Sequence, residues 1–144
     1  MATAGFLHPK DLKQISSDAE VAKMEEEQRA KRKGEQLQQE LREAFMAREV
    51  HPKVTERVNN AIRIAAEHGQ HQVQVLTFPC TFCSDGGRRI NIADPEWPGT
   101  LEGFAKKAYD YFQKELRPLG FKLHAEIISF PGGMPGDAAL ILKW

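Results

Sequence analysis

Apolar residues follow two regimes along this chain: sparse and scattered among charges up to about residue 49, dense and periodic beyond it. In the second part, Val54, Val58, Ala61, Ile62 and Ala65 recur every three or four residues, which predicts an amphipathic helix stopped by Gly69. Val73, Val75 and Thr77 then alternate with Gln72 and Gln74, before Leu76 and Phe78 make both phases apolar, so residues 70–79 read as a strand. Thr100 is placed to cap a helix running to about Arg117, with Leu101, Phe104, Ala105, Ala108, Tyr111, Phe112 and Leu116 on its buried side and Pro118 and Gly120 closing it. Phe121, Leu123, Ala125 and Ile127 alternate with Lys122, His124 and Glu126 in a second strand, residues 121–130. A turn at 131–137 leads to a third, residues 138–144.

This order predicts an α+β domain over residues 50–144: helix, strand, helix, strand, strand, with helices covering one face of a three-stranded mixed sheet. A strand-helix-strand unit is expected to cross over right-handedly and set its two strands parallel, while the short turn makes the last pair antiparallel. The carboxy-terminal ends of the first two strands then share one edge, where the turn-rich segments 80–99 and 131–137 both emerge. The first is long for a connection without regular structure, and such loops are often functional.

Residues 1–49 form the other expected segment, a charged helical arm. Between Ser17 and Glu43 there are eight acids and six bases in 27 residues, too few apolar groups for a core. Ser17 with Glu20 fits a capping box, and Glu25 with Arg29 and Glu27 with Lys31 stand at the favourable i,i+4 order, each worth roughly 0.2–0.5 kcal/mol. Gly34 costs about 1 kcal/mol relative to Ala and is the weak point of a helix expected over 17–48, roughly 48 Å long. Leu37, Leu41, Ala44, Phe45 and Arg48 lie on one side of that helix and predict docking there. His8-Pro9-Lys10 and His51-Pro52-Lys53 both read as helix starts with Pro at the first helical position.

Composition narrows the function classes. The chain has 144 residues, with 20 Lys plus Arg balancing 20 Asp plus Glu, so a nucleic-acid or membrane attraction would have to come from a local patch. The basic cluster Arg29, Lys31, Arg32 and Lys33 is flanked by glutamates that cancel its field, and nucleic acid is not an expected partner. No stretch approaches the roughly 20 apolar residues needed to span a bilayer, and Met1–Lys13 lacks a secretory pattern. With two cysteines only, the expectation is a cytoplasmic protein whose thiols stay reduced.

Phosphate-loop, dinucleotide, nucleophile-elbow and metalloprotease motifs are absent, and no cofactor or metal is expected. Cys80-Thr-Phe-Cys83 follows a strand as a redox dithiol would, but Ser84-Asp85-Gly86-Gly87 is a turn sequence instead of the helix start that lowers a thiol pKa. His68 and His71 supply two further metal-type ligands, yet a strand of about 26 Å separates them from the cysteines. Arg88 and Arg89 beside two glycines offer guanidinium forks to an anion, unless Asp85 and Asp94 pair with them and hold the loop.

The expected function is therefore a non-enzymatic binding or assembly module, a homo-oligomer or the ligand of another protein. Its contacts are expected on the arm and on Asp85, Gly86, Gly87, Arg88, Arg89, Asn91, Gly132, Gly133, Met134 and Asp137. The alternatives are a thiol-disulfide oxidoreductase using Cys80 and Cys83, and anion or nucleic-acid binding through Arg88 and Arg89.

Overall fold

The computed structural model describes residues 5–144; residues 1–4, the start of the expected arm, lie outside it. The chain divides into two units, one ending at Leu41 and one from Arg42 to Trp144. Helix α1, Pro9–Ala47, is unbroken over 39 residues. It starts at Pro9 as the first His-Pro-Lys predicts, so Ser17 lies within the helix instead of capping it. Gly34 meets nothing within 4 Å, and the helix continues through it. Local side-chain bonds line the helix in the first unit: Gln14 to Asp18 at 2.9 Å and Gln36 to Glu40 at 3.4 Å. Arg29 donates to the Glu25 carbonyl at 3.4 Å, in place of the expected carboxylate pairing.

In the second unit follow α2 (Val54–Glu67), β1 (Gln72–Pro79), α3 (Arg88–Asn91), α4 (Gly103–Tyr111), β2 (Lys122–Ile127) and β3 (Asp137–Lys143). This is an α+β arrangement with a three-stranded sheet. Its order is β1-β3-β2, with β3 antiparallel to both neighbours. The expected side-by-side parallel pair, and with it the mixed sheet, is thus replaced by an all-antiparallel ladder. The physical reason lies in β3: Ala138 to Leu142 are all buried, at 0–6% exposure. A run apolar in both phases is stable only where both faces and both edges are covered, which is the middle of a sheet. Because β1 and β2 each oppose β3, they still point the same way.

Cross-strand partners share a face. Leu142 stands opposite Val73 and Leu123, and Leu140 opposite Leu76 and Ala125. Val54 and Val58 of α2 and Phe104 and Ala108 of α4 join Leu76, Leu123, Leu140 and Leu142 around an apolar cavity of about 100 Å³, so both helices lie on this face. On the reverse face Ile141 is flanked by Gln74 and His124, and Ala139 by Thr77 and Glu126, so polar side chains cover the buried residues there. The register of β1 slips between Gln74 and Leu76. That bulge puts Val75 and Leu76 on the same cavity wall, and it is the cause of the phase change along β1.

The end of α1 is part of the compact second unit. Phe45 packs on Phe78, Phe82 and Phe104 at ring separations of 5.6, 5.0 and 6.1 Å. Arg48 lies 4.0 Å over the Phe104 ring, and Lys107 bonds the Arg48 carbonyl at 2.9 Å and Glu49 at 2.7 Å. The expected docking stripe is mostly elsewhere, however: Leu37, Leu41 and Ala44 stay exposed, and Met46 and Arg42 take the contacts beside Phe45.

Two helix starts also differ from expectation. His51-Pro52-Lys53 forms a turn in which the Lys53 N–H donates to His51 Nδ1 at 3.0 Å, and α2 begins at Val54. Thr100 is buried and donates to the Trp97 carbonyl at 2.7 Å instead of capping α4. Helix α4 begins at Gly103, whose φ of +58° and closeness to Met46 (2.7 Å from a would-be Cβ to its Cα) admit no side chain. It widens into a π turn over Phe112–Leu116 and then tightens into a 3-10 turn over Arg117–Leu119, ending at Gly120 with φ +100°.

Candidate functional site

The common direction of β1 and β2 delivers both turn-rich segments to one edge of the sheet. Pro79, the last residue of β1, pairs with Asp137, the first of β3, while Ile127 pairs with Ala138. At the junction the Cys80 N–H donates to the Gly136 carbonyl at 2.9 Å, and its thiol to the Pro135 carbonyl at 3.3 Å. Gly136 is required there, since a Cβ would come within 2.5 Å of Ser129 Oγ. The same Ser129 hydroxyl accepts the Asp137 N–H at 2.8 Å.

The 80–99 segment is more ordered than an irregular loop. A 3-10 turn over Cys80–Phe82 leads to Cys83, and then two left-handed glycines, Gly86 (φ +70°) and Gly87 (φ +86°), turn the chain into α3. The Asp85 carboxylate accepts the N–H groups of Gly87 and Arg89, each at 2.9 Å, and so caps this single helical turn. Asp94 likewise accepts the Glu96 N–H at 2.8 Å. Neither aspartate pairs with an arginine. Arg89 instead meets Glu96 at 3.3 Å, an exposed pair of little energetic weight, and Arg88 and Asn91 are exposed.

These contacts bear on the chemistry the sequence suggests. An anion docking on the glycine turn would compete with Asp85 for the Gly87 and Arg89 amides, and one of the two guanidinium groups is already engaged. Cys80 and Cys83 are free thiols without a disulfide, 2% and 5% exposed. Burial pushes both pKa values up, Cys83 to about 11; the Thr100 hydroxyl partly opposes this at Cys83, and Asp137 and Asp85 add to the upward shift at Cys80. Low-pKa reactive thiolates need the opposite surroundings, partial exposure and positive potential. His68 is occupied locally, its Nδ1 2.7 Å from the Ile64 carbonyl, and no group of three or more metal-type ligands occurs among the described residues.

Toward solvent, the edge is apolar in places. Met134 is 69% exposed, between the exposed Gly132–Gly133 turn and Pro135, and Phe130 (53%) and Ile128 (45%) flank it in sequence. Phe130 and Ile128 are additions to the sequence-derived set. They continue the outward phase of Lys122, His124 and Glu126, so their exposure was readable from strand alternation. Asp137 is exposed beside them, and Asp85 half-buried.

The chain matches no family model, no curated protein and no solved structure. Among the described residues no helix is long and apolar enough to cross a membrane.

Proposed function

We propose that this protein is a non-enzymatic binding and assembly module whose partner is a protein, contacted through α1 and through the edge formed by residues 80–99 and 131–137. One observation carries the reading: α1 buries none of its 39 residues, while Leu12, Ile15, Val21, Met24, Leu37 and Leu41 are each about half exposed. A helix of this composition gains little from its own ion pairs, and most helical stability in proteins comes from packing an apolar face. Met134, Phe130 and Ile128 give the loop edge a smaller apolar contact of the same kind. The buried cysteines, free of any disulfide, suit a reducing compartment such as the cytoplasm.

The test is purification of the full-length chain from its native host, compared with Leu37→Asp/Leu41→Asp and Met134→Asp variants. The reading expects an assembly, homomeric or with another protein, that at least one of the two variants loses. A wild-type chain that is monomeric and brings down nothing dependent on these residues would refute it.

A further inference from the structure

Stepping by four, three and four residues from Ile15, a single stripe follows α1 as far as Ala44, repeating every 11 residues. An 11-residue repeat, about 3.67 residues per turn against 3.6, keeps a stripe on one side of a helix with only slight right-handed drift. We infer that this stripe pairs antiparallel with the same stripe of a second copy of the chain, about a twofold axis beside Ala30. The inference rests on the binding-module reading and names the partner of α1.

The stripe is complementary to its own reverse. Run antiparallel about Ala30, it sets Ile15 against Ala44, Ala19 against Leu41 and Ala22 against Leu37, a large side chain facing a small one in each layer. Such alternation lets facing positions interdigitate without voids. Glu26 then faces Lys33 of the partner subunit, and twofold symmetry makes that pair twice. Within one helix Glu26 and Lys33 are two turns, about 10.5 Å, apart and out of reach. Neither side chain has a hydrogen bond or ion pair within the chain among the described residues.

The parallel alternative loses both the charge pairing and the large-against-small layers. In register it would set Glu26 against Glu26, Lys33 against Lys33, leucine against leucine and alanine against alanine. Charged residues at seam positions commonly act this way, fixing orientation more than adding stability. The seam is also open: Ile15, Leu37 and Leu41 are 53%, 56% and 51% exposed, and Ala44 is exposed although its neighbour Phe45 is packed.

Light scattering and sedimentation of the full-length protein decide the matter. Wild type is expected to be a concentration-dependent dimer. Glu26→Lys and Lys33→Glu alone should each raise its dissociation constant about tenfold or more, since each sets like charges together in two layers. The exchange Glu26→Lys/Lys33→Glu should return it to near the wild-type value. A short bismaleimide should join Ala22→Cys chains to Leu37→Cys chains and leave Ala22→Cys chains alone unjoined. A monomeric wild type, a double exchange no better than either single change, or joining of Ala22→Cys chains to each other would overturn the pairing. A monomer that still holds another protein through Leu37 and Leu41 ends the pairing and leaves the binding-module reading standing; a monomer that holds nothing ends both.

Discussion

Gly87 rests directly on Cys80: a Cβ added to the glycine would lie 2.6 Å from Cys80 Cβ, at a φ of +86° that side chains rarely adopt. This contact joins the α3 turn to the end of β1. Gly87→Ala therefore combines backbone strain with a collision in the core, and should destabilise the protein by about 2 kcal/mol or more. Gly86→Ala, at φ +70° with open space around it, carries the strain alone and should cost about 1 kcal/mol. Urea unfolding of both variants checks the contact, and equal losses would count against it.

Asp85 and Glu96 make a second comparison. Asp85→Ala leaves two backbone N–H groups without their acceptor and should cost about 1–2 kcal/mol. Glu96→Ala removes only an exposed partner of Arg89 and should change stability by less than about 0.5 kcal/mol. Chemical denaturation ranks the two, and the reverse ranking would mean that α3 is held by its arginines.

The thiols supply a pH prediction. Cys83 ionises in the unfolded chain near its ordinary value of 9 but in the folded protein only near 11. Above pH 9 the unfolded chain thus binds fewer protons than the native one, so stability falls with rising pH and keeps falling until about pH 11. Cys83→Ser should flatten that decline. Native alkylation by iodoacetamide at neutral pH should be much slower than in denaturant, whereas rapid reaction with an apparent pKa under 7 would restore the oxidoreductase reading.

Phe45 anchors the end of α1 among three aromatic rings. Phe45→Ala should cost about 2–3 kcal/mol, while Leu119→Ala, at a residue 73% exposed, should stay within about 0.5 kcal/mol. Thermal unfolding followed by near-ultraviolet circular dichroism measures both.

Apart from the short α3, the element types were legible in the sequence, as was the meeting of the two loops, because the ends at which connections emerge depend on strand direction and not on strand order. The order itself was not. The crossover rule gives a parallel pair as neighbours, but Ala138–Leu142, apolar in both phases, competes for the centre and takes it. Val75 and Leu76 likewise read as a strand with two apolar faces, when a bulge turns both toward the same cavity. Phe45 was readable as a docking residue, yet Leu41 and Ala44, grouped with it by helical spacing, are exposed, and Met46 takes the packed place beside it. The role of Asp85 depends on the left-handed turn at Gly86 and Gly87, which aims its carboxylate at backbone amides; residue types alone left arginine as an equal partner.

The strand at the middle of the sheet is also the last of the three to leave the ribosome. Until it does, β1 and β2 lack the antiparallel partner that both of them use in the folded protein. Synthesis halted before Asp137 would leave both strands without the partner that joins them, so the native ladder forms in one step, when β3 arrives between them.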